Sequence, residues 1–199
     1  MNQFLSQRLA PILSKNKMET TKLLSNLLEL THQMKQEAIA FQKLPDSLLF
    51  TRPQPSSWSI IECIEHLNRY GYFYIPELTI KISTSKYTTP SPIFKSGYLG
   101  NYFAKSMLPK TKLNKMKTFK SMNPSHSVLN RDVLAVFIQQ QDSLIALLEQ
   151  AQTVNLNQTK TAISISKWIK LRLGDTLKIV VFHNLRHMVQ AQNIIQSQA

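Results

Sequence analysis

From about Lys17 to Phe41 apolar residues recur at steps of three and four, with Leu23, Leu24, Leu27, Leu30, Met34, Ala38 and Phe41 set among Lys22, Glu29, Lys35 and Glu37. That spacing predicts an amphipathic helix, stopped near Pro45-Asp46. After the turn-rich Pro53, Pro55 and Ser56, a second helix is predicted over residues 57–83 through Ile61, Ile64 and Leu67. Ser57 or Ser59 can accept a hydrogen bond from its first free amides, and Ser59 with Glu62 matches a capping box. Pro76 removes a backbone donor, so a kink or restart is expected there. Val133, Phe137, Leu144 and Leu148 mark a third helix over 126–151. Leu173, Leu177, Val180, His187, Ala191 and Ile194 mark a fourth over 171–196. Almost no alternating strand pattern appears, so the expected fold is all-α, a four-helix bundle in one domain spanning 1–199.

Between the second and third helices, residues 85–125 hold Pro90, Pro92, Pro109 and Pro124, the aromatic group Tyr98, Tyr102 and Phe103, and many lysines. The reading is a long crossover with a short helical piece near Leu99 to Leu108, long enough to let those two helices run parallel. Connections of this length inside a domain carry structure or function of their own.

Composition narrows the function. Four glycines in 199 residues cannot build the glycine-rich cradles of P-loop or dinucleotide folds. Cys63, the single cysteine, forbids an intramolecular disulfide and any cysteine-based zinc cluster, which fits a reducing compartment, and the cytoplasm is expected. Met1 to Lys17 lacks a small-residue cleavage signature, so no signal peptide is read there. Apolar runs such as Ile179 to Phe182 fall far short of the about 20 residues a membrane span needs. Off-stripe apolar residues on the fourth helix, Ile179, Val189 and Ile195, suggest a homodimer interface.

Net charge is +13, and most of the excess sits in the crossover. No acidic residue lies between Glu77 and Asp132, while Lys81, Lys86, Lys95, Lys105, Lys110, Lys112, Lys115, Lys117, Lys120 and Arg131 add ten positive charges. Lysines with interleaved aromatics could contact nucleic-acid phosphates and bases or an acidic protein, and the alternative function is therefore a non-catalytic binding module that uses this crossover and whose histidines are structural. No recognisable reading motif accompanies them, so no specific nucleic-acid partner is expected, and a solvated loop or attraction of a small anion explains them as well.

The chemistry concentrates in histidines. His183 and His187 stand one helical turn apart, their Cβ directions differing by about 40°, so both imidazoles can reach one ion. Two hydrogen-bonded core histidines are the alternative. His66, on the second helix near the face of Cys63, Leu67, Tyr70 and Phe73, would join the pair if that helix packs beside the fourth. Three neutral imidazoles suit zinc or nickel first and iron(II) also, and leave coordination positions open. Glu62 or Glu65 could orient His66, against the alternative of a solvated carboxylate. Cys63 reads as a small core hydrophobe. Trp58 and Trp168 read as packing residues at helix starts, and Arg186 either holds an anion, is exposed, or pairs with a neighbouring helix. His32 and His126 fall outside the triad.

At these residues the chain resembles a known family. Trp58-Ser59-Ile60-Ile61-Glu62-Cys63-Ile64-Glu65-His66-Leu67 is similar to the second-helix motif W-S-x-x-E-x-x-x-H-L of DinB-like proteins. Leu173-Gly174-Asp175, followed by His183-Asn184-Leu185-Arg186-His187 and Gln190, resembles their last-helix motif. The resemblance implies a four-helix bundle with a divalent metal on His66, His183 and His187. Its bacillithiol- and mycothiol-dependent members imply a metal-activated low-molecular-weight thiol as cosubstrate and a small-molecule substrate, in a transferase or a related hydrolase. The lysine-rich crossover departs from the commonest family pattern.

Overall fold

The computed structural model describes residues 16–109 and 118–198. Its helices are α1 (Thr20–Phe41), α2 (Asp46–Phe50), α3 (Ile60–Ser83), α4 (Tyr98–Met107), α5 (Asp132–Gln150) and α6 (Leu173–Gln198). The four long ones form the expected bundle. α1 and α3 each pack against both α5 and α6, which closes a ring around a core that includes Leu27, Met34, Ile64, Phe137, Leu148 and Phe182. α3 starts as its sequence demands: the Ser59 hydroxyl accepts from the Glu62 amide and the Glu62 carboxylate accepts from the Ser59 amide. The expected kink at Pro76 does not divide α3, which runs on to Ser83. The carbonyl deprived of its donor belongs to Tyr72, an exposed residue where water can take it.

Two short antiparallel sheets correct the helix boundaries. β1 (Lys17–Glu19) pairs with β2 (Ile93–Lys95), setting Met18 opposite Phe94, so the first helix begins at Thr20 rather than Lys17. β3 (Lys160–Ile163) and β4 (Ser166–Arg172) form a bulged hairpin that moves the start of the last helix from Leu171 to Leu173. The third helix starts at Asp132 instead of His126, because the chain before it lies across α3. There Arg69 donates to the carbonyls of Ser121 and Asn123, and Arg52 to that of Ser125.

The crossover carries the expected short helix, α4, and its seat is cut into the start of α6. A Cβ on Gly174 would come within 2.5 Å of the Phe94 ring, so glycine there lets the buried ring close over the first turn of α6. The next residue, Asp175, accepts the amide of Gly97, the residue that caps α4, at 2.8 Å. A Cβ on Gly100 would meet the Asp175 carboxylate at 2.4 Å, so α4 approaches as closely as glycine permits. The leucine-glycine-aspartate motif is thus a dock for the crossover helix. With α4 on it, α6 is buried on every side from Leu173 to Met188. Ile179 is buried there, while Val189 and Ile195 pack partly buried against the core, so the surplus apolar positions of the fourth helix are covered within the chain itself. Lys110, Lys112, Lys115 and Lys117, and the first fifteen residues, lie outside the described residues. Among the described residues no helix is long and apolar enough to cross a membrane.

Candidate metal centre

α3 and α6 pack side by side and bring His66 against His183 and His187. The three ring centroids stand 4.6, 4.9 and 5.1 Å apart, close to an equilateral triangle. One ring nitrogen from each lies within 4.8 Å of the others, and Nε2 of His66 is 3.2 Å from Nε2 of His183. Two nitrogens bound tetrahedrally to one zinc ion at its usual bond length stand about 3.3 Å apart, so this pair already has ligand spacing.

The outer nitrogens decide which way the lone pairs face. Nδ1 of His66 lies 2.7 Å from the Met122 carbonyl oxygen, which can only accept, so Nδ1 carries the proton and Nε2 offers its lone pair to the centre. Nδ1 of His187 is held in the same manner by Oε1 of Gln190 at 2.9 Å. Metal-binding histidines are oriented by such outer hydrogen bonds. Burial keeps the rings neutral. It pushes His66 down to about 4, opposed by the Met122 bond and aided by the Arg69 charge. Burial also drives His183 and His187 well below the ordinary histidine range, helped by the neighbouring imidazoles and Arg186. Neutral, oriented imidazoles are the ligand form, so these residues fit a divalent ion.

Aromatic rings wall the centre. The Trp58 ring lies 4.7 Å from His66 and 5.7 Å from His187, and its indole N–H donates to Ser125 at 3.0 Å. Tyr70 sits edge-on to His66 and His183 at 5.0 and 4.7 Å. The triad opens into a cavity of about 800 Å³ lined further by Tyr74, Phe103, Gln141, Asn184 and Arg186. Asn184 donates to Gln141 across the α5–α6 seam at 3.2 Å.

Several sequence expectations change here. Neither Glu62 nor Glu65 reaches His66: Glu62 is committed to the cap of α3 and to Arg52, and Glu65 pairs with Arg69. Glu62 is no solvated carboxylate either. Burial raises its pKa, but the Arg52 and Ser59 hydrogen bonds outweigh burial and hold it below the usual carboxylate range. Trp58 is a wall of the centre instead of simple packing, whereas Trp168 is 94% exposed on β4 and packs no helix start. Arg186 is buried, donates to the Leu108 carbonyl at the end of α4, and lines the cavity. Cys63 is fully buried in the core, and burial raises its thiol pKa. His32 and His126 lie at the surface, apart from the triad. Met122 was beyond sequence reasoning because its contribution is a backbone carbonyl. Gln190, three residues after His187, could have been found from helical spacing.

The sequence profile of the DinB superfamily matches residues 27–191. The chain belongs to the DinB superfamily. The fold of this DinB chain is similar to that of YfiT from Bacillus subtilis, described as a probable metal-dependent hydrolase with an unusual four-helix bundle topology. That match has a TM-score of 0.51 and 16% identity, and covers 90% of this chain and 87% of YfiT. No curated protein sequence matches the chain significantly.

Proposed function

We propose that this DinB protein is a divalent-metal-dependent enzyme acting on a small molecule, with His66, His183 and His187 as ligands. The reaction is transfer of a low-molecular-weight thiol to an electrophile, or the related hydrolysis with water as nucleophile. The observation that carries the reading is the geometry of the triad: Nδ1 of His66 and of His187 is each tied to an oxygen, and one ring nitrogen from each of the three histidines lies within 4.8 Å of the others. When bound, a zinc, nickel or iron(II) ion supplies Lewis acidity that keeps a ligated thiol or water as its anion at neutral pH. The chain's own residues do the rest. Met122 and Gln190 fix the imidazoles, and Trp58 and Tyr70 exclude bulk water beside them. Three protein ligands leave room for nucleophile and substrate on the cavity side.

A single domain and a cytoplasmic setting belong to the same proposal, supported by the core shared among all four long helices and the buried thiol of Cys63. A second copy of the chain is no requirement of it. The test is a panel of model electrophiles offered with low-molecular-weight thiols, beside a panel of small esters and amides, using metal-loaded and chelator-treated protein. Turnover confined to the loaded protein is expected. Thiol dependence selects the transferase, and its absence the hydrolase. Equal turnover after verified metal removal contradicts the proposal.

A further inference from the structure

Beyond the triad, the deepest polar groups of the cavity wall are carboxamides. α5 contributes Gln140 and Gln141, and α6 contributes Asn184. Among the described lining residues there is no aspartate, glutamate or lysine, and the guanidinium of Arg186 is already engaged, with the Leu108 carbonyl as one partner. Gln141 and Asn184 are 2% and 6% exposed and are joined by one hydrogen bond, from Nδ2 of Asn184 to Oε1 of Gln141 at 3.2 Å. That bond leaves Nε2 of Gln141 as a donor and Oδ1 of Asn184 as an acceptor. Neither atom has another partner among the described residues, and neither is sealed away like Asn68 Oδ1 or Asp175 Oδ1. In side chains this deeply buried, the open space such atoms reach is the cavity that both residues line. Turning both carboxamides over leaves the same result, one free NH2 beside one free C=O. Gln140 stiffens this wall: its Nε2 donates to the Asn68 carbonyl at 3.1 Å, and a Cβ on Gly71 would come within 2.5 Å of its Cδ, so glycine makes room for it. A buried donor and acceptor facing a cavity cost free energy until a ligand or water takes them.

Resting on the metal-enzyme reading, we propose that the substrate carries an uncharged amide, a C=O beside an N–H, on an apolar body of about ring size. Its carbonyl accepts from Gln141, its N–H donates to Asn184, and its body rests among Tyr70, Tyr74 and Phe103, which line the same cavity. The volume of about 800 Å³ suits such a molecule. Gln141 and Asn184 determine specificity: a site built to hydrogen-bond a substrate N–H rejects the analogue that lacks it, because its own polar group is then left unpaired.

The probes are benzamide and acetophenone, nearly equal in shape, the second with a methyl group in place of the amide NH2. Trp168→Phe, at an exposed position, leaves Trp58 as the single tryptophan and hence a fluorescence reporter in the cavity wall. Titrated into the Trp168→Phe protein, with calorimetry as a second readout, benzamide is expected to bind about tenfold tighter than acetophenone, the effect of one buried hydrogen bond. The preference should hold in metal-loaded and chelator-treated protein alike, because neither carboxamide is a ligand. Asn184→Leu, close to isosteric, should erase it while metal content stays unchanged, and Gln141→Met should weaken both probes by a similar factor, since both carry the carbonyl. If Asn184→Leu does not fold, the matched pair on the Trp168→Phe protein still decides. Equal affinities for the two probes, or binding of neither, in protein shown to hold metal would overturn the inference and leave the metal enzyme standing. A full benzamide preference in folded Asn184→Leu would also overturn it, by removing Asn184 from the site. A benzamide preference in protein that takes up no metal would support the amide pocket and overturn the metal-enzyme reading instead.

Discussion

Gly174→Ala opposes two effects of known sign, and the structure decides which wins. In the first turn of a helix, alanine is favoured over glycine by up to about 1 kcal/mol. Against this, the new Cβ would stand 2.5 Å from Cε2 and 2.8 Å from Cδ2 of Phe94, about an ångström inside ordinary contact. Phe94 is 1% exposed and its backbone is paired to Met18, so the ring cannot simply swing into solvent. Overpacking of a filled core costs about 1–3 kcal/mol, so the net expectation is destabilisation. For a chain of this size each kcal/mol lowers Tm by about 2–4 °C. Phe94→Ala alone should cost about 3–5 kcal/mol, but on that background Gly174→Ala meets no ring and should regain its helix preference. Urea denaturation of the four proteins forms a double-mutant cycle, and a coupling of about 2 kcal/mol or more between the two sites is expected. Stabilisation of the parent protein by Gly174→Ala, with no coupling to Phe94, would refute the account of Gly174 as the seat of the Phe94 ring.

The metal-free protein should lose stability in acid. An unfolded histidine titrates near 6.5, while burial holds His66 at about 4 and the other two well below the ordinary range. Stability is therefore complete above about pH 6.5 and falls as pH drops toward 4, by up to about 1.4 kcal/mol per pH unit for each histidine. Urea titrations at pH 7, 6 and 5 check this, and a flat or rising profile contradicts it. Cys63, buried with its thiol pKa raised, should resist maleimide in the native protein and react once denatured. Oligonucleotide binding through the crossover lysines should be weak, indifferent to sequence, and gone near physiological salt in a filter-binding or anisotropy assay. Tight binding under those conditions, unaffected by loss of the three histidines, would instead favour a binding module.

The long helices are legible because each buries one face, and burying one face imposes a period near 3.6 on the apolar residues. The capping box at Ser59 and Glu62 is readable for a local reason, since both partners lie within one turn. The hairpin of β3 and β4 escaped because it covers only part of its surface: Ile165 and Trp168 stay exposed, which blurs the alternation of Thr161, Ile163, Ile169 and Leu171. The last helix misleads for the opposite reason. Its one-stripe pattern is overlaid by a second buried face beneath α4, so Ile179 looks like surplus until the crossover helix is in place. The three histidines could be singled out by spacing and motif. Their orienting partners were harder to find, because Met122 acts through its backbone and lies 56 residues from His66.

Metal content follows directly from the ligand role of the three histidines. Purified protein should carry close to one equivalent of zinc, nickel or iron by elemental mass spectrometry. His66→Ala, His183→Ala and His187→Ala, each shown to be folded by circular dichroism, should each lose most of it, with occupancy in the parent falling below about pH 6 as imidazoles compete for protons. Equal metal content in the parent and all three folded variants would contradict the assignment of these histidines as ligands.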